Sequence, residues 1–336
     1  MKYLSNLDLT FKRIAQLNNV ASSTVQLYLD SYVSIPRTIL PENLGIDELY
    51  SKSMSNSDSA YLCILVDNHK RYPIDILPSR SKNYLNSFFS KYSKTEREKV
   101  KFVTIDMWKP YKDVVLRQFP NCQIAVDPFH VVKNLSDIFI KIRRTIMNQV
   151  PYGSDYYYLL KKWFSLIDKY DIDLDNEPRY NARFNRKLNK RQLFDMILEI
   201  SDKLKEAYQL KVMYQIFNER ATVDNCEEWL DIIISRFSRS SVVEYIEFTN
   251  LLINWKQEII NSFNRPHNDR KQSNALAEAT NSKLRAYLDM ARGTQNFTRF
   301  RKRVLLATNP KIFYSISNHL ESDKNFKSER GKYNKK

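Results

Sequence analysis

The spacing of apolar positions changes character three times along the chain. Between Asp8 and Tyr32 it is helical: Phe11, Ile14, Ala15 and Leu17 fall on one face, Asn18-Asn19 interrupts it, and Val25, Tyr28 and Leu29 resume it. Val20 reads as the apolar plug of the turn, and Ser22 or Ser23 as the cap of the second helix. This is helix-turn-helix spacing, with Ser23, Thr24 and Gln26 on the side turned from the apolar face; an ordinary helical hairpin lying on a larger domain reads the same way.

From Asn43 to Val132 the period shortens to that of strands. Leu44-Gly45-Ile46 predicts the end of a buried strand leading into Asp47-Glu48, with further strands over residues 61–66, 72–77, 101–105 (ending at Asp106) and 123–126 (ending at Asp127). Helices are predicted over 82–92 and 111–118. Three strands, a helix, a strand, a helix and a strand describe an α/β fold, a mixed five-stranded sheet with flanking helices. Beyond Phe129 the spacing is helical over 131–150, 154–170, 190–218, 225–237 and 241–263. Loops are expected at 171–179, with Pro178, and at 264–270, with Pro266, before a helix from Asn274 to Met290. The Lys-rich segment 321–336 reads as a disordered basic tail.

Composition narrows the function. With 336 residues and 43% hydrophobic, the chain has room for two domains, or for one core with a large insertion. Only four glycines occur, and no GxGxxG or Walker pattern, so no nucleotide cofactor is expected. Lys and Arg total 54 against 38 Asp and Glu, a net charge of +16. That excess favours a polyanionic partner, since each neutralised phosphate releases counterions; a charge-solubilised protein or an anionic lipid surface would also account for it. Cys63, Cys122 and Cys226 form no CxxC pair, which points away from zinc or disulfides and toward a reducing compartment. No signal layout opens the chain and its apolar runs are short, so a soluble, cytoplasmic protein without a membrane partner is expected.

The candidate chemistry is carried by acids. Asp47, Asp106 and Asp127 end predicted strands, where neighbouring ends converge at one sheet edge. Glu278 lies on the late helix, whose Ser273, Asn274, Glu278, Asn281 and Arg285 span one broad face. Carboxylates that bridge two magnesium ions suit phosphodiester hydrolysis, because hard cations prefer oxygen ligands. Taken singly, acids at strand ends are as readily caps or turn formers, and a helical Glu readily lies on a solvated face. At 13% aromatic residues, the chain offers Trp163, Trp229 and Trp255 at helical spacing for the core, and Trp108 as a candidate DNA contact.

Several blocks occur in a telling order: Leu44-Gly45-Ile46-Asp47-Glu48; Val103-Thr104-Ile105-Asp106-Met107-Trp108-Lys109-Pro110-Tyr111; Phe119-Pro120-Asn121; and Val126-Asp127-Pro128-Phe129-His130-Val131-Val132. The closing blocks are Ser273-Asn274-Ala275-Leu276-Ala277-Glu278-Ala279-Thr280-Asn281, Ala291-Arg292-Gly293, Asn296-Phe297 and Phe300-Arg301. Together, from about Asp8 to Leu306, they resemble the transposases of the ISL3 insertion-sequence family. The resemblance implies an RNase H-like fold interrupted by a large all-α insertion, with Asp-Asp-Glu chemistry. Asp47, Asp106 and Glu278 would be the catalytic metal ligands for two Mg2+ ions, with Mn2+ able to substitute. Glu48, Asp127, His130 and Asn274 would support those ligands; His130 reads equally as a DNA contact or a structural hydrogen-bonder. Ser23, Thr24, Gln26, Trp108, Asn281 and Arg285 would meet DNA.

The implied division is a helix-turn-helix over 1–40, a first core segment over 41–150, a helical insertion over 151–265, core completion over 266–310 and a basic tail over 311–336. The implied activity is metal-dependent cleavage at insertion-sequence ends and strand transfer into target DNA, by a homo-oligomer on DNA in the bacterial nucleoid. Two departures stand out: no Cys-rich zinc-binding segment precedes the helix-turn-helix, and Ala275 and Ala279 replace the family's glycines. The first leaves an alternative, a truncated, catalytically inactive DNA-binding remnant; an RNase H-like nuclease without joining activity is another.

Overall fold

The N-terminal apolar spacing folds as two packed helices, α1 (Phe11–Leu17) and α2 (Ser22–Tyr32). They belong to a computed structural model that describes residues 2–266, 271–290 and 296–314. Thr10 caps α1, its hydroxyl accepting from Arg13 N at 3.1 Å. The expected Ser22 or Ser23 cap on α2 is not formed; Ala21 holds that position without a side-chain bond. The turn closes through the backbone instead, with Asn19 at φ 50 and Val20 N donating to Ala15 O at 3.1 Å. Ile14, Ala15, Val25 and Leu29 are buried as one cluster with Leu4 and Val33. Leu17, Val20 and Tyr28, expected inside, are exposed. At two turns, α1 is too short to bury more than its middle, and Tyr28 packs sideways on Tyr32 with ring centroids 5.6 Å apart.

The strand-forming region contains β1 (Asn43–Tyr50), β2 (Tyr61–Asp67), β3 (Tyr72–Leu77), α3 (Lys82–Phe89), α4 (Lys94–Glu98), β4 (Phe102–Ile105), α5 (Lys109–Gln118) and β5 (Gln123–Val126). They form one sheet in the order β3-β2-β1-β4-β5, with β1 antiparallel to β2 and parallel to β4. Continuous apolar runs fit strands buried on both faces. The helix expected over 82–92 stops at Phe89, and Ser93 with Glu96 starts α4 through a reciprocal capping box. The strand expected to end at Ile46 runs on to Tyr50, because its ladder with β2 continues to the Tyr50–Tyr61 pair. Asp47 therefore lies inside β1 rather than after it.

Contacts divide the chain into two units, 1–124 with 274–336, and 125–273. The second is mostly helical: α6 (Pro128–Gln149), α7 (Asp155–Lys162), α8 (Ser165–Asp168), the hairpin strands β6 (Arg179–Asn181) and β7 (Arg186–Leu188), α9 (Lys190–Leu198), α10 (Asp202–Arg220), α11 (Cys226–Ser238), α12 (Ile246–Asn254) and α13 (Lys256–Asn261). Three long helices expected here are broken. Trp163 and Trp255 stand at breaks, where a half-buried indole is accommodated as the chain turns. The third break precedes Ser201, whose hydroxyl caps α10. Trp229 is also half-buried, against Phe217, so none of the three is a fully buried core residue.

The first unit is completed by α14 (Ala275–Met290) and α15 (Phe297–Thr308). Ala277, Leu284 and Tyr287 of α14, with Phe300 and Val304 of α15, pack on Leu49 of β1, Leu62, Ile64 and Val66 of β2 and Ile76 of β3. This layer fixes which face of β1 the late helix covers. The mixed sheet with flanking helices and a helical insertion is an RNase H-like α/β fold. Ala291-Arg292-Gly293, residues 267–270 of the second loop and the tail 321–336 lie outside the described residues.

Candidate active site

Strand register brings two acids together. Asn43, Leu44 and Gly45 lie opposite Phe102, Val103 and Thr104, a constant offset of 59 positions (102 − 43). Carried two residues further, that offset sets Asp47 opposite Asp106, on the same face as Gly45 because side chains alternate. A carboxylate oxygen of each lies within 4.8 Å of the other, and the residues are only 3% and 9% exposed. At that separation two negative charges repel by about 3–4 kcal/mol at an effective dielectric of about 20. A divalent cation would turn this repulsion into attraction.

Helix α14 is fastened to the same stretch of β1 by two amides. Asn274 Nδ2 donates to Ile46 O at 2.9 Å; Asn281 Nδ2 donates to Asp47 Oδ2 at 2.6 Å and to Glu48 O at 3.0 Å. Two acceptors on one Asn281 nitrogen fix which end of that amide is the NH2. The other Asp47 oxygen accepts from Glu48 N at 2.8 Å, so both carboxylate oxygens are held. Glu278, half-buried, stands four positions after Asn274 and three before Asn281, and so shares the helix face that covers Asp47. The approach is close enough to require Gly45: a Cβ there would lie 2.9 Å from Asn274 Oδ1 and from Asn68 Oδ1, and nearer still to Val66 Cγ2.

On the opposite face of β1, Glu48 ion-pairs with Arg80, whose guanidinium lies over the rings of Tyr61 and Trp108. Burial, then the negative charges of Asp47 and Glu48, push the Cys63 thiol well up, so Cys63 stays protonated and is no nucleophile. Arg80 and Tyr61 escaped the sequence reading. Arg80 follows a strand without periodicity, and Tyr61 looked like one more strand aromatic.

Each of the other candidates has its own local setting. Arg285 is exposed on α14, Ser23 is exposed on α2 and Thr24 is half-buried. Gln26 Oε1 accepts from Arg299 Nη1 at 2.7 Å, so that side chain is engaged by α15. Trp108 is half-buried against Tyr111, ring centroids 4.7 Å apart. In the second unit Asp127, 1% exposed, caps α6 by accepting from Phe129 N at 3.2 Å, and His130 packs edge-on against Phe129.

The family model of the ISL3 transposases, described as a transposase, matches residues 44–304. The chain belongs to this family. The matched region begins in β1 and ends in α15, so it contains Asp47, Asp106 and Glu278 and both amides that fasten α14. Comparison with curated proteins returns no match. Among the described residues of this transposase, no helix is long and apolar enough to cross a membrane. The paired, buried carboxylates offer the oxygen donors that a hard divalent cation prefers, and they fit such an ion.

Proposed function

We propose that this transposase cuts phosphodiester bonds at insertion-sequence ends and joins the freed 3′-hydroxyl to target DNA, with Asp47, Asp106 and Glu278 as the metal ligands. The observation that carries the reading is the in-register Asp47–Asp106 pair beneath the helix that bears Glu278. Two Mg2+ ions, or Mn2+ in their place, would supply an activated oxygen nucleophile and stabilise the leaving oxygen. The protein's part is preorganisation. Asn281 and the Glu48 amide hold Asp47 in one orientation, and Asn274 fixes the height of α14 on β1. The β1–β4 ladder, paired through Gly45 and Thr104, holds side by side the backbones that carry Asp47 and Asp106 two residues further on. The α1–α2 hairpin, with Ser23 outward, is the candidate reader of DNA, and an assembly of copies on DNA would bring two ends together. No nucleotide cofactor enters the scheme.

The test is incubation of the purified chain with Mg2+ and labelled DNA carrying the element's ends, with products resolved on a sequencing gel. Asp106→Asn and Glu278→Gln are expected to abolish both cleavage and joining. Strand transfer that persists in Asp106→Asn refutes the assignment. Nicks without joined ends would retain the hydrolysis and discard the strand transfer.

A further inference from the structure

The Tyr61–Arg80–Trp108 stack lies beside the acids yet plays no part in holding them. The Arg80 guanidinium carbon is 3.7 Å from the Tyr61 ring centroid and 4.4 Å from that of Trp108, so the cation is layered between two π faces. Glu48, the residue after Asp47, takes its charge. Trp108 is tied to the other acid, its backbone N donating to Asp106 O at 2.7 Å. Tyr50 extends the aromatic surface: it is 60% exposed and meets Tyr61 edge-on at 5.3 Å, across the last rung of the β1–β2 ladder. A cation in a stack of rings, at a strand end that also carries buried carboxylates, is more than core packing needs.

We propose that Tyr50, Tyr61, Arg80 and Trp108 form a binding site for single-stranded DNA at the edge of the acidic centre, with Glu48 holding Arg80 in reserve until a phosphate replaces it. A guanidinium held between two rings has lost most of its rotamer freedom, so little ordering entropy is spent when its planar fork engages a phosphate. The exposed Tyr50 ring suits unpaired bases, which every sequence offers and which a duplex keeps stacked. Glu48 occupies the guanidinium as a phosphate would, which makes its carboxylate an internal competitor for the DNA backbone. The proposal rests on the reading of this strand edge as the place where DNA is processed, but its test is independent of cleavage.

The experiment measures anisotropy of a labelled oligothymidine and of a duplex, with the full chain in EDTA, across a salt series. Arg80→Met is expected to weaken oligothymidine binding about tenfold and to reduce the slope of log K against log salt by about 0.7, the share of one single-strand phosphate. Tyr50→Ala, at an exposed position, is expected to weaken it about fivefold or more while leaving the slope unchanged. Glu48→Gln is expected to tighten it, a gain that misfolding cannot produce. Duplex affinity should hold within about twofold throughout. An unchanged slope in Arg80→Met, a parallel loss on oligothymidine and duplex, or no gain in Glu48→Gln each overturns the proposal. An active Asp106→Asn enzyme would sink the acid assignment without touching these results.

Discussion

Replacing Asn281 with alanine should separate a positioning role from a structural one. The side chain is 2% exposed and gives one nitrogen to Asp47 Oδ2 at 2.6 Å and to Glu48 O at 3.0 Å. The bond to the carboxylate is worth about 1.5–3 kcal/mol and the bond to the carbonyl about 0.5–1.5 kcal/mol. Against these stands Asn281 Oδ1, buried without a hydrogen-bond partner among the described residues, a cost of about 1–3 kcal/mol that alanine removes. Alanine is also the better helix former, by about 0.5 kcal/mol. The terms largely offset, so unfolding in urea should show a loss of no more than about 3 kcal/mol. Asp47, by contrast, loses the donor that orients it, and Mn2+ affinity read by paramagnetic resonance should fall about 10–100-fold. Asn274→Ala is the control, because Asn274 holds the Ile46 carbonyl rather than a carboxylate. It should cost comparable stability and change Mn2+ affinity less. Wild-type Mn2+ affinity in Asn281→Ala would refute the reasoning outright.

Three further outcomes follow from packing and charge. Gly45→Ala drives a methyl into Val66, Asn68 and Asn274 and should cost about 1–3 kcal/mol in chemical denaturation; a variant as stable as the parent contradicts the close seating of α14 on β1. Asp75, 1% exposed, accepts from Arg301 Nε at 2.6 Å and Nη2 at 2.9 Å and from Thr38 Oγ1 at 2.6 Å. Arg301→Met removes the one cation bound to that buried carboxylate among these partners and should cost about 3–5 kcal/mol, part of which Asp75→Asn should restore in a double-mutant cycle. Burial pulls the Lys211 amine down to about 8, with Asp168 opposing. A base whose pKa is lower folded than unfolded leaves the unfolded chain holding more protons between the two values, so stability should rise from about pH 8 toward pH 10. Denaturation of the parent and of Lys211→Met across that window checks the sign: the parent should gain on the variant as pH rises, and a constant gap refutes it.

How far the sequence revealed the molecule follows from how local each signal is. The five strands were legible because continuous apolar runs such as 61–66 and 123–126 need no partner to be recognised. Strand ends were less so: β1 outlasts its apolar run because β2 pairs with it to Tyr50, and pairing is not written in either strand alone. The helical breaks at Trp163 and Trp255 were hidden for the same reason, since each indole preserves the 3.6 spacing while the backbone turns. At the acids, block order suggested Asp47, Asp106 and Glu278, whereas the geometry that pairs Asp47 with Asp106 is a register of 59 positions. Asn281 was legible as a helix-face neighbour of Glu278. That it grips Asp47 rather than lying open to solvent depends on the depth at which α14 sits, which Gly45 sets.

The net charge of +16 invites the inference that basic clusters mark the DNA footprint, and α15 shows why that inference needs the fold. Arg299, Arg301, Lys302 and Arg303 read as a basic patch, yet all four are spent within the first unit. Arg299 Nε pairs with Asp30 at 2.8 Å, Arg301 with Asp75, and Lys302 Nζ donates to the Asp30 carbonyl at 2.8 Å. Arg303, fully buried, donates to the carbonyls of Leu4, Asn6 and Leu9 and to the Tyr287 hydroxyl, and meets no carboxylate among these partners. Burial lowers its pKa, but an arginine so far above neutrality stays charged, and four carbonyl and hydroxyl oxygens take the place of its water. The consequence is mechanical. Arg303 joins α14, through Tyr287, to the segment that leads into α1, while Arg299 and Lys302 hold α2. The helix that carries Glu278 and the hairpin expected to read DNA are thus clamped to one strut through packed side chains.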